Sequence, residues 1–286
     1  MAKGEFIILN GEVCDASQPF MKDNRAFRFG DGMFESIRIV NGLPYNLQFH
    51  IERMLEGAEI LTIEIPSHFT HDYFKGQIKS LIERNRIQAG GRARISLYRG
   101  GEGTYFSETN KAMFFIEASH LPNNYFNLNE NGLMVDIYSE MNKSVNILSK
   151  YKSINSLLPI MAANFAKKND LQDCFILNEK GKIIESISSN VFIVSNGVLY
   201  TPPLEDGCVG GIMRMNVINT AIENGITVYE NTLSPQNLLA ADEIFLTNAI
   251  KGIQWVGGYR SKRYFNKISK KILELINQKE NKEVLV

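Results

Sequence analysis

The sequence predicts a two-domain α+β protein, and three observations carry that expectation. β-rich runs stand at both ends of the first half, with two helical patterns between them. A Pro- and Asn-containing break, SHLPNNYFNLNENG, then interrupts the regular patterning. In the second half, strand and helix patterns are interleaved. A chain of 286 residues suits one large domain or two ordinary ones. The boundary is expected at a linker over 120–127, which leaves a smaller N-terminal α/β domain (1–119) and a larger mixed α/β C-terminal domain (128–286).

EFIILNGEV reads as a strand and turn, followed by a loop with Pro19. FESIRIV is β-rich, and Asn41-Gly42 after it is a hairpin signal. From about Gln48 to Leu61, Ile51, Met54, Leu55, Ala58 and Leu61 share one helical face. From about Asp72 to Arg86, Tyr73, Phe74, Ile78, Leu81 and Ile82 do the same. RARISLYRG and KAMFFIEAS return to strand, joined by the loop GGEGTYFSETN. The second half opens with the strand LMVDIYSE, and a helical pattern starts at Lys152 in YKSINSLLPIMAANFAKKND. Paired strands follow, with turns at Asn178–Lys182 and Ser195–Gly197. A glycine-started helix over 212–224, the strands ITVYENTL and EIFLTNAI, and a last helix from about Asn266 to Gln278 complete the chain.

Composition excludes several classes. Apolar residues make up 44% and charged residues 22%, a profile with enough apolar surface for a real core. The 31 basic and 31 acidic residues cancel, so nothing in the balance points to nucleic acid or a strongly charged partner. The basic stretch around Arg260, Lys262 and Arg263 reads as a solvated loop. Cys14, Cys174 and Cys208 are odd in number and far apart, which fits neither a disulfide framework nor a metal site. No apolar run approaches the roughly 20 residues that span a bilayer. A cytoplasmic protein without a metal is expected.

Lys152, Glu185 and the turn GGIM make a legible set. A lysine with a depressed pKa is a Schiff-base nucleophile. A carboxylate can hold a protonated ring nitrogen, and a helix start can hold a phosphate. Six segments resemble, in order, those of the fold-type-IV pyridoxal-phosphate enzymes, the class IV aminotransferases. They are FGDGMFESIR (29–38), HIERM (50–54), KSINSL (152–157), ESISSNVF (185–192), TPP with GGIMR (201–203 and 210–214) and ADEIFLTNA (241–249). Members of that family include branched-chain aminotransferases, D-amino-acid aminotransferases and aminodeoxychorismate lyases. The resemblance spans nearly the whole chain and implies a two-domain fold like that of D-amino-acid aminotransferase, with pyridoxal 5'-phosphate as cofactor. It also implies a homodimer in which Phe29, Arg94 and the GGEGTYF loop act across the interface.

On the resemblance, Lys152 forms the Schiff base and shuttles the Cα proton. Without it, Lys152 is a surface lysine in a first helical turn. Glu185 faces the pyridine nitrogen, where an exposed strand glutamate is the plain alternative. Arg53 holds the phosphate, its alternative being pairing with Glu52 or Glu56. Gly211, Ile212 and Met213 offer backbone N–H groups to the phosphate, and Met213 stands where the family has threonine. Thr247 and Asn248 provide a further phosphate contact, with Asn248 closer to the lyases than to the branched-chain enzymes. Asn190 orders the pocket wall or serves strand hydrogen bonding. His50 reads as a structural hydrogen bonder. Phe29 and Arg94 are substrate-side candidates, Arg94 for a carboxylate, with an outward strand arginine equally open.

Three substrate classes compete. FESIR and Arg94 are similar to branched-chain enzymes, and KSINSLLP to D-amino-acid enzymes whose RxH pattern this chain lacks. YRGGEGTYF and GIMR are similar to the lyases, though the loop's second arginine is missing. The expectation is an aminotransferase acting on a branched-chain or D-type amino acid and a 2-oxo acid. Its alternative is 4-amino-4-deoxychorismate lyase, releasing p-aminobenzoate and pyruvate. A non-catalytic cofactor-binding protein is the remote third reading.

Overall fold

Alternation of apolar and polar residues drives the first sheet. The computed structural model describes residues 3–17 and 24–283, so the Pro19 loop lies outside the described residues. The chain divides into two units: Met1–Tyr125 with Tyr151–Asn155, and Phe126–Lys150 with Ser156–Val286. No helix among the described residues is long and apolar enough to cross a membrane.

In the first unit, β1 (Lys3–Leu9) turns into β2 (Glu12–Asp15), and the short helix α1 (Arg25–Phe29) precedes β3 (Gly32–Val40) and β4 (Leu43–Pro44). Asn41 and Gly42 both take positive φ, the conformation a two-residue hairpin turn requires. Helices α2 (Leu47–Ile60) and α3 (His71–Arg84) come next, then β5 (Gly91–Arg99) and β6 (Ala112–His120). The antiparallel sheet has the order β2-β1-β6-β5-β3-β4. Ile51, Met54, Phe74, Ile78 and Leu81 of the helices are buried with Met33, Ile37, Ile95 and Ile116 of the sheet. The alternate positions of β3 and β5, among them Phe34, Ser36, Arg92 and Arg94, belong to the opposite face.

The second unit comprises β7 (Leu133–Lys143), α4 (Leu157–Lys168), β8 (Asp173–Asn178), β9 (Ile183–Ser186), β10 (Asn190–Ser195) and β11 (Val198–Thr201). It continues through α5 (Ile212–Glu223), β12 (Val228–Glu230), α6 (Pro235–Ala240), β13 (Glu243–Asn248), β14 (Gly252–Tyr259), β15 (Lys262–Arg263) and α7 (Lys267–Glu283). The strand path β10-β13-β14-β7-β8-β9 closes on itself where Glu185 pairs with Asn190. One apolar core gathers Val135, Phe175, Val191, Ile244, Leu246 and Val256, and a second gathers Tyr138, Ala162, Cys174, Ile176 and Cys208.

Three differences from the sequence expectation have physical causes. The helix expected from Lys152 begins at Leu157, because the backbone just before it bonds to β3. Residues 120–125, expected as linker, belong to the first unit, where Arg38 Nη2 donates to the carbonyls of Asn123 (2.7 Å) and Tyr125 (2.8 Å). The strand β14 was masked in the sequence by Gly257 and Gly258. A side chain at Gly257 would collide with the backbone of Gly132.

Candidate active site

Lys152 stands on an extended segment laid against the start of β3. Phe34 N–H donates to the Lys152 carbonyl (2.8 Å), Ile154 N–H donates to the Gly32 carbonyl (3.0 Å), and Met33 lies opposite Ser153. Strand alternation then puts the Lys152 side chain on the face of Phe34. Its Nζ lies 4.6 Å from the Phe34 ring centroid. The Arg94 guanidinium carbon lies 3.9 Å from the same centroid, and its Nε donates weakly to Ser96 Oγ at 3.4 Å. Burial, then the neighbouring Arg92 charge, pulls the Arg94 pKa below its ordinary value. An amine and a guanidinium therefore share one half-buried aromatic surface.

Glu35 points the other way, under α2, and is 1% exposed. His50 Nδ1 lies 2.7 Å from one carboxylate oxygen, and Arg53 donates to both, through Nε (2.8 Å) and Nη2 (2.6 Å). Burial alone would raise the Glu35 pKa; the Arg53 charge and the His50 hydrogen bond outweigh it and hold it at about 2. Burial pushes the His50 pKa down despite that carboxylate. His50 is therefore a neutral donor through Nδ1–H, not a member of an ion pair, as short as the contact is. Arg53 is thus bound to Glu35, not to its helix neighbours Glu52 or Glu56.

Phe29 closes α1 just before Gly30, whose φ of +68° caps the helix in the left-handed region. Its ring packs against Tyr105, with centroids 5.8 Å apart, and under the guanidinium groups of Arg25 and Arg28. Asp31, inside FGDG, accepts from Arg25 Nε (2.9 Å) and Arg99 Nε (3.0 Å). Arg25 also donates to the Thr104 carbonyl (2.7 Å), which ties the GGEGTYF loop to this network.

The second unit gathers the other expected residues into one chain of contacts. Glu185 accepts from Lys143 Nζ (2.7 Å) and from the Val209 N–H (2.9 Å). Asn190 donates through Nδ2 to the Val209 carbonyl (2.7 Å) and stands opposite Thr247 in the ladder. Thr247 is 1% exposed, and its Oγ1 has no hydrogen-bond partner. Gly211 is the N-cap of α5, and a Cβ there would overlap Asn190 Oδ1. No side chain caps this helix start, where Ile212 and Met213 stand with N–H groups that lack acceptors a turn back. Both of their side chains are buried. Asn248 does otherwise: its amide donates to Ser189 Oγ (2.9 Å) and accepts from the N–H groups of Ile250 and Lys251.

Phe34, Glu35, Lys143 and Val209 were missed by sequence reasoning. Glu35 and Phe34 were legible as neighbours on opposite faces of a strand. Which face met Lys152, and that Lys143 met Glu185, depended on pairings across 118 and 42 positions that no local pattern encodes.

The model of the amino-transferase class IV family matches residues 32–258. A putative branched-chain-amino-acid aminotransferase of Methanocaldococcus jannaschii is 31% identical over 274 residues, covering 94% of each chain. A D-alanine aminotransferase of Bacillus licheniformis is 28% identical, covering 85% of this chain and 84% of its own. The fold is similar to that of a branched-chain aminotransferase from the archaeon Thermoproteus uzoniensis, solved with norvaline. That structure has a TM-score of 0.86 and 26% identity over 95% of this chain and 93% of that one.

Proposed function

The chain belongs to the class IV aminotransferases, pyridoxal-phosphate enzymes, and on that premise we propose that it moves an amino group between an amino acid and a 2-oxo acid with Lys152 as the catalytic base. The observation that carries this reading is the shared Phe34 ring, which sets a nucleophilic amine beside a guanidinium able to receive a carboxylate.

The residues present fit a phosphorylated cofactor. The partnerless Thr247 hydroxyl and the uncapped start of α5 offer donors to a phosphate, with Gly211 leaving room for close approach. Asn248 serves that end through the turn it caps, and the family resemblance alone gives Arg53, held in place by Glu35, a phosphate role. Glu185, anchored by Lys143 and Val209, supplies the carboxylate for the ring nitrogen. When bound, the cofactor supplies the electron sink for the pair released at Cα. Lys152 Nζ would take the proton from Cα and hold it for return, while Arg94 would orient the substrate by its carboxylate. Phe29 and the loop it supports close the substrate side. In this reading the enzyme is a cytoplasmic homodimer.

The lyase is the second reading, favoured by the GIMR segment and Asn248. A single-turnover spectral screen tests both. L-Leucine, L-glutamate, D-alanine, D-glutamate and aminodeoxychorismate are each added to the yellow protein, and the visible band is followed. Its loss with one amino-acid series supports the transaminase and reports its stereochemistry. No change with any amino acid, but pyruvate and p-aminobenzoate from aminodeoxychorismate, replaces it with the lyase.

A further inference from the structure

Resting on the transaminase reading, we infer that Arg25 is a positioning residue for the substrate: with Asp31 it fixes the loop over 100–111 against the segment that carries Lys152. The turn FGDG is the joint between the two. On one side its backbone is laid on the Lys152 segment. Ile154 N–H donates to the Gly32 carbonyl, and a Cβ at Gly32 would crowd the Ile154 side chain, while one at Gly30 would touch Asn155. On the other side the Asp31 carboxylate meets two arginines, accepting from Arg25 Nε (2.9 Å) and Arg99 Nε (3.0 Å) on the same oxygen.

Each arginine spends the rest of its fork on one end of the loop. Arg25 Nη1 donates to the carbonyls of Thr104 (2.7 Å) and, weakly, Glu102 (3.4 Å). Arg99 donates to the side-chain oxygen of Asn110 and to the carbonyls of Leu61 and Thr62. Arg25 is 3% exposed and Arg99 9%. These further acceptors are all neutral, so one carboxylate serves two buried guanidinium groups.

The loop also closes on itself. Gly103 pairs with Ser107, and Gly101 and Gly103 take the positive φ that glycine tolerates. Its tip carries Tyr105 and Phe106, 88% and 91% exposed. Tyr105 packs on the Phe29 ring, which in turn lies under the Arg25 guanidinium. Two aromatic rings are thus held out on a backbone that is pinned from beneath by a buried, charge-assisted contact. A loop fixed in advance needs no ordering when a substrate arrives. Its loss is therefore felt in substrate affinity and not in the chemistry at Lys152.

The test compares the cofactor-loaded wild type with Arg25→Gln, using the amino acid that bleaches the visible band. KM should rise at least tenfold with kcat within threefold, while cofactor retention and band position stay put. Arg25→Lys keeps a cation beside Asp31 but loses the fork, and should recover part of the KM. Chymotrypsin gives a readout without turnover. Cleavage after Tyr105 and Phe106 should be at least tenfold faster in Arg25→Gln, because cutting needs the loop to open locally. Gly103→Ala reaches the loop from its far side, since a Cβ there would overlap the Phe106 carbonyl, and should raise KM likewise even where Arg25→Gln does not fold. Unchanged nicking in Arg25→Gln overturns the inference, because the loop is then held by other contacts. So does faster nicking with an unchanged KM, the mark of a purely structural clamp, or a fall in kcat with a shifted band, which places the effect at Lys152. A cofactor band that no amino acid alters removes the transaminase reading itself, whatever the nicking rates, and this inference with it.

Discussion

Replacing Glu35 by Gln removes the buried charge that holds two side chains of α2. Burial opposes that charge, yet the Arg53 guanidinium and the His50 hydrogen bond draw the carboxyl from an ordinary 4.5 to about 2. A depression of that size corresponds to on the order of 3 kcal/mol of folded-state stabilisation. Because the folded pKa lies below the unfolded one, this stability is fully present above 4.5 and is lost as pH falls toward 2. Gln keeps the shape and an acceptor oxygen but leaves Arg53 without its counter-charge. The expected loss near neutrality is therefore about 3 kcal/mol, at the lower end of what breaking a buried ion pair costs. With a urea slope of roughly 3 kcal/mol per molar, the midpoint should drop by about 1 M. Urea midpoints of wild type and variant, at saturating cofactor, measure it across a pH series. The gap should be widest near neutrality and narrow as the wild-type carboxylate protonates. Equal midpoints at neutral pH, or a gap indifferent to pH, would refute the reasoning. The wild type should also begin to lose stability somewhat higher, as pH falls through 6.5, because His50 is kept neutral when folded.

Three further outcomes are expected. Lys152→Ala should lose the visible cofactor band and slow turnover by roughly 10²–10⁴-fold or more, checked by absorbance and steady-state kinetics; a retained band would move the nucleophile elsewhere. Glu185→Ala should keep the yellow cofactor but lose most turnover, and also lower the melting temperature, because Lys143 and the Val209 N–H lose their acceptor; full activity would remove Glu185 from the ring-nitrogen role. Gly211→Ala should weaken cofactor binding at least tenfold in equilibrium dialysis, since the added methyl must displace Asn190 at the start of α5; unchanged retention would separate this turn from the phosphate.

Much of the fold was legible because its local signals agree. Asn41-Gly42 specified a tight turn, Ile51, Met54 and Ala58 specified the buried stripe of α2, and the strand runs around Ile37, Ile95 and Ile116 specified one sheet. The candidate residues were legible as well, since ordered motifs marked Lys152, Glu185, Arg53 and Thr247 before any contact was known. Their surroundings were not. That Lys152 sits on extended chain and not in a helix follows from the β3 backbone claiming its carbonyl. Arg53 finding Glu35, and Arg94 and Lys152 meeting over Phe34, follow from strand register. Sequence alone determined which residues and which periodicities were present, because turn chemistry and apolar spacing act over a few residues. Only the tertiary structure decided which charges meet and which stand apart, because a one-residue change of register would carry every side chain of a strand to the other face.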